Sequence, residues 1–233
     1  MRANAPLVKP PRFDEWLECY FVPYDNVDSP WDRFPPVGDD HPAFRGSDDE
    51  IIDLFTYTML SSGTELKRFS DQQVGVGLDN LLNNHFADVA NTVRDGATTT
   101  DKKVAALRSL KVLYSNCLSL RAAPKLGHRD EKTPSAPLNG ICYMLWDVTP
   151  LSYWPDADQG ALMYPVMIEV MEQALQSPNC AVVESGLHGL GHTVYKCKDL
   201  AVATIDRFLN ERRVNVREEL FSYARAARTG MIE

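Results

Sequence analysis

An all-α fold of stacked antiparallel helical hairpins, preceded by an extended arm, is what this sequence predicts, on three observations. Helix starts recur as a capping residue followed three positions later by an acid or amide, a pattern that satisfies the free N–H groups of a first turn. Leucines and small residues recur at matching depths behind those starts. No alternating β-branched run competes. The best strand candidate, Ile141 to Trp146 after Asn139-Gly140, has no partner strand and is therefore read as helix.

The first element is an arm over residues 1–46. It holds eight of the 15 prolines, from Pro6 to Pro42, so most of it is expected to be extended. Residues 1–60 carry 12 acidic and 5 basic side chains against 20 and 19 in the remainder, so nearly all of the net charge of −8 sits in this quarter. The same quarter carries ten of the 22 aromatics, among them Phe13, Trp16, Tyr20, Phe21, Tyr24, Trp31 and Phe34. Burying each is worth roughly 1.5–3 kcal/mol, so the arm is predicted to lie against the body with a short helix near Phe13 to Phe21.

Residues 47–233 form the predicted helical body. Ser47-Asp-Asp-Glu50, Ser70-Asp-Gln-Gln73 and Asn215-Val-Arg-Glu218 read as capping boxes, while Asn179 and Thr99 or Thr100 start two further helices. Gly63, Gly96 and Gly230 stand where left-handed C-cap residues are expected. The helical spans are 48–61, 71–83, 86–95, 101–121, 138–147, 159–176, 180–195, 199–211 and 216–228. Between 122 and 160 the chain is loop-rich, with Pro124, Pro134, Pro137, Pro150 and Pro155 interrupting any regular array. Counting from Ser70, Thr99, Asn179 and Asn215, the eighth residue is Leu78, Leu107, Leu187 and Tyr223, and the eleventh is Leu81, Leu110, Leu190 and Ala226. Starts so spaced fit helical hairpins stacked one on the next, with a globular bundle as the alternative.

Ser177-Pro-Asn-Cys-Ala-Val-Val-Glu-Ser-Gly-Leu-His-Gly-Leu-Gly-His192 resembles the inter-repeat turn and following helix of HEAT and armadillo repeats. Asn215-Val-Arg-Glu-Glu-Leu-Phe-Ser-Tyr-Ala-Arg-Ala-Ala227 is similar, with Val216-Arg217 where such helices often carry a valine and an arginine. The resemblance is strongest over 177–228 and faint at Ser70 to Leu82. It implies a curved stack whose concave surface binds a protein or peptide without intrinsic catalysis.

Glu184, His188 and His192 are spaced four apart and form one stripe on a helix, near enough for adjacent imidazoles to share a metal. The arrangement resembles the His/carboxylate ligation of di-iron bundles and heme-oxygenase-like folds, for which Asp79, Glu169, Glu172 and Asp206 are the further donors available. The competing reading places the histidines at a repeat interface, hydrogen-bonded to neighbours. Gly186, Gly189 and Gly191 each cost about 1 kcal/mol in a helix, which close approach of another helix would offset. Trp146-Asp147 and Tyr153-Trp154 place large amphipathic side chains at a helix end and in a proline-bounded loop, as contact residues or as buried plugs.

Nine basic residues face four acids between Arg94 and Lys132, but the overall charge argues against nucleic acid, and the patch could instead receive the acidic arm. The longest charge-free run, Thr133 to Trp146, has 14 residues and two prolines, too few for a membrane span. No secretory signal is read, so the cytoplasm is the expected compartment. Five scattered cysteines without a C-x-x-C pair suggest reduced thiols. The resulting expectation is a non-catalytic scaffold, adaptor or immunity-type protein needing no cofactor. Its partner-binding residues are Trp146, Asp147, Glu184, His188, His192 and Arg217. The alternative is a helical metalloenzyme with Glu184, His188 and His192 as ligands. Exchange of the aromatic arm would give a homodimer, although no residue argues for one directly.

Overall fold

The structure, a computed structural model, describes residues 7–22, 44–83, 88–130, 136–211 and 216–232. Among these residues every regular element is helical: α1 (Phe13–Phe21), α2 (Asp48–Leu60), α3 (Ser62–Glu65), α4 (Asp71–Leu82), α5 (Val89–Asp95), α6 (Thr100–Leu113), α7 (Ser119–Arg121), α8 (Pro137–Val148), α9 (Ala157–Leu175), α10 (Cys180–Thr193), α11 (Lys198–Asn210) and α12 (Glu218–Ala227). A π-helical turn, Tyr114–Leu118, joins α6 to α7, so the span read as one helix over 101–121 carries a bulge.

The caps explain most starts. Ser70 accepts from the Gln73 N–H while Gln73 reaches back to the Ser70 N–H, closing a complete capping box. Ser47, Thr99 and Asn179 cap α2, α6 and α10 through their side chains. Asn215 lies outside the described residues, and α12 begins at Glu218 without a side-chain cap. Pro137 stands in the first turn of α8, where its missing N–H costs nothing. Of the three glycines read as left-handed caps, only Gly230 has a positive φ, 75°. Gly96 is extended at the end of α5, and Gly63 lies within α3 because Ser61 has already ended α2.

Two rows of contacts can be traced in the packing: α2 lies on α6, α6 on α9 and α9 on α11; α4 lies on α8, α8 on α10 and α10 on α12; and α9 packs against α10 between them. One apolar core runs through both rows, from Phe13 to Ala227. Leu78, Leu107, Leu187 and Tyr223 are all buried, as their matching depth predicts, and so are Leu81, Leu110 and Leu190. Their equivalence is only partial: α6 belongs to the first row, whereas α4, α10 and α12 belong to the second.

Within the described part of the arm, α1 packs on α4. Phe13, Trp16, Leu17, Tyr20 and Phe21 are buried, and the Trp16 indole N–H donates to Thr58 Oγ1 at 3.0 Å. Tyr24, Trp31 and Phe34 lie outside the described residues.

Nearly all of α10 is buried, including every residue from Ala181 to Gly191. Two glycines make that possible. A Cβ on Gly186 would stand 2.8 Å from the Met171 carbonyl oxygen of α9, and one on Gly189 would stand 2.6 Å from the Trp146 ring of α8. The close packing expected of these glycines is therefore present, and it brings the end of α8 against the middle of α10. No helix among the described residues is long and apolar enough to cross a membrane.

Candidate functional site

The second row carries a chain of polar side chains running from its interior to its surface. At the inner end, Glu184 is 1% exposed and accepts from the Gly127 N–H at 2.6 Å and the His128 N–H at 3.2 Å. Its carboxylate also meets His128 Nδ1. A buried carboxylate without donors would be strongly destabilising, so this set ties the 126–130 loop to α10. The His128 ring stacks on Tyr223 of α12, with centroids 4.6 Å apart.

One turn along α10, His188 is 1% exposed. Its Nδ1 lies 2.6 Å from Tyr223 Oη, and its Nε2 lies 3.0 Å from Asp147 Oδ2, at the end of α8. A further turn brings His192 to the surface with its side chain 42% exposed. Its Nε2 is 2.6 Å from Asp147 Oδ1 and 3.0 Å from His188 Nε2. Asp147 is 29% exposed, so the cluster opens to solvent on one side.

Burial raises the Asp147 carboxyl, but the hydrogen bonds and charge of His188 and His192 outweigh it and hold the group well below the ordinary carboxylate range. Burial, followed by the negative potential of Tyr143, Glu184 and Asp147, pushes the Tyr223 phenol far above its usual value. Tyr223 therefore keeps its proton at neutral pH.

Of the six residues expected to bind a partner, the structure brings three into one cluster. Asp147, His188 and His192 meet, and among the described residues they are the one group of three or more His, Cys and acidic side chains that places ligand atoms within 4.8 Å of one another. Glu184 shares an α10 face with the two histidines, but the 126–130 loop occupies its carboxylate, so Asp147 of α8 stands in the place predicted for it. Trp146 is 2% exposed: its indole N–H donates to Tyr114 Oη, which lies 2.7 Å from Ser185 Oγ. It is a buried plug beneath the site, one of the two readings that its place at a helix end allowed. Arg217 donates to Asp130 and Glu219 at the start of α12, clasping that helix to the loop beside His128. Through that hydrogen bond first, and the Leu126 N–H second, the Asp130 carboxyl is lowered to about 2.

The other carboxylates considered for a di-iron site point to different partners. Glu169 pairs with Arg108 and Lys111, Glu172 with Arg207, Asp206 with Arg228, and Asp79 accepts from Asn83. Much of the basic stretch is likewise engaged: Lys102 meets Asp49 and Asp53 of α2, and Arg121 meets Asp71. All five cysteines are free thiols.

His128 and Tyr223 were not anticipated as members of the site. The signal for Tyr223 was present, because it stands where the other counted helices carry leucine, and a polar-tipped residue at a buried depth calls for a partner. His128 gave none, since it lies in a loop 56 residues from Glu184.

Fold and cluster together define an all-α protein with a polar site assembled from three neighbouring helices of one row. No family model, curated protein or solved structure matches the chain.

Proposed function

We propose that the chain is a HEAT- or armadillo-like stack of helical hairpins that works by binding a protein or peptide, as a scaffold or adaptor. The partner docks on the face shared by α8, α10 and α12. The two rows of successive helix contacts support the stacked reading, because each unit of such an array buries its apolar side only against its neighbours.

The observation that carries the proposal is the exposed Asp147–His192 pair, held from below by the buried His188–Tyr223 contact. A polar network that served packing alone would have no need to surface. Beside it, four residues beyond His192, Lys196 lies over the Tyr153 ring on a groove of about 350 Å³ also lined by Pro155 and Tyr164. Tyr153 and Tyr195 are exposed, Tyr195 by 74%. Tyrosine is enriched where protein surfaces meet.

A photo-crosslinking residue in place of Tyr195, in the full chain expressed in its own cells, tests this. One discrete adduct of distinct mass, lost with His192→Glu or Tyr153→Ala, is expected. No adduct, an adduct of the chain with itself, or adducts indifferent to both substitutions would contradict a partner at this face.

A further inference from the structure

The polar atoms where Asp147, His188 and His192 meet are closer together than any arrangement of the ring protons can satisfy. An imidazole nitrogen has one in-plane site, filled either by a proton or by a lone pair. His188 Nε2 and His192 Nε2 lie 3.0 Å apart, and each also faces its own oxygen of the Asp147 carboxylate, Oδ2 at 3.0 Å and Oδ1 at 2.6 Å. If both nitrogens donate to the carboxylate, two N–H groups crowd each other with nothing between them. If one imidazole donates to the other, the acceptor ring turns its lone pair toward the carboxylate, and the donor's single N–H cannot point at both of its neighbours. One edge of the triangle is always frustrated.

A cation between the two ring nitrogens and the carboxylate removes the conflict, since both rings then present lone pairs to it and either carboxylate oxygen can serve as the third ligand. Metal–nitrogen bonds of about 2.0–2.1 Å place neighbouring ligand atoms about 3.0–3.4 Å apart, close to the spacings here. The rest of the arrangement suits that role. His188 is buried and its Nδ1 lies 2.6 Å from Tyr223 Oη, so an Nδ1–H donated to the phenol oxygen would leave Nε2 as the metal-facing lone pair. Gly189 admits the Trp146 ring against α10, which seats the next residue, Asp147, beside the histidines. Asp147 and His192 leave one side open.

We propose that Asp147, His188 and His192 hold one divalent first-row transition-metal ion through three protein atoms, with its remaining positions open to water or to a further ligand. Two imidazoles favour zinc, iron, copper or nickel over magnesium or calcium. The inference goes beyond the docking reading and does not depend on it, because its test uses the metal alone and no partner.

The test is calorimetric titration of the full chain, stripped with chelator, with Zn²⁺ at neutral pH. One ion per chain is expected. Asp147→Asn, which keeps the shape, and His192→Ala, which removes an exposed ring, should each weaken binding by at least about 100-fold, more than loss of a supporting residue does. Tyr223→Phe should weaken it about 10-fold. Co²⁺ in place of Zn²⁺ should show d–d absorption without a thiolate charge-transfer band. No binding by the stripped protein, equal binding by the Asp147 and His192 variants, or a thiolate band would each overturn the proposal. Far-UV circular dichroism identifies any variant that fails to fold, and the Asp147→Asn result then decides.

Discussion

The part of the molecule built on α1, α2 and α4 and the face built on α8, α10 and α12 both carry buried side chains but are differently made. Around α1 the interior is aromatic: Phe13 packs edge-on to Tyr57, Trp16 to Tyr20 and Phe44, and Phe21 stacks on Phe69. Where it carries a polar contact, as between the Trp16 N–H and Thr58 Oγ1, the contact joins single side chains and not a network. Along α10 the interior instead contains Glu184, bound to the 126–130 loop, Ser185, bound to Tyr114, His188, bound to α8 and α12, and Thr193, bound to the Gly189 carbonyl. Aromatic burial stabilises without further conditions, whereas a polar network stabilises only while every member is paired. The first region therefore holds the fold, and the second holds particular atoms in place.

Substitutions in the two regions should separate these roles. The largest effect is expected from Trp16→Ala, which opens a cavity beneath α1 and should cost about 4 kcal/mol in urea unfolding. Zinc stoichiometry should stay unchanged, because α1 packs on α4 rather than on the cluster. Glu184→Ala should cost about 3 kcal/mol, since it leaves two backbone N–H groups and the His128 ring without their acceptor. Hydrogen exchange should rise specifically at Gly127 and His128.

The smallest effect concerns the loop clasp. The Asp130 carboxyl is lowered from 3.8 to about 2 in the folded chain, so its contribution is fully present above pH 3.8 and is lost as pH falls toward 2. With Arg217 a third exposed, screening limits that contribution to about 1 kcal/mol or less. The stability difference between the native chain and Asp130→Asn should accordingly shrink between pH 4 and pH 2, as followed by urea midpoints. A difference that grows on acidification would refute the clasp.

Much of the helical architecture was legible in the sequence because its signals are local. A cap such as Ser70, a proline in a first turn or an apolar period is written within a few residues of the element it defines. The α10 stripe was legible for the same reason, since spacing of four fixes a helix face. What spacing could not show was which member of the stripe faces which neighbour. Glu184 and His188 share a face, yet one meets a loop and the other meets α8 and α12, and that division depends on how deeply Trp146 sinks against Gly189. The row assignment of α6 was hidden likewise, because leucine depth records burial and not the identity of the covering helix.

Anomalous diffraction at the zinc edge, from crystals of the full chain grown with Zn²⁺, addresses the cluster most directly. The account predicts one peak within about 2.0–2.2 Å of His188 Nε2, His192 Nε2 and an Asp147 oxygen. Zinc peaks only elsewhere, with the three side chains in the same positions and nothing between them, would contradict it.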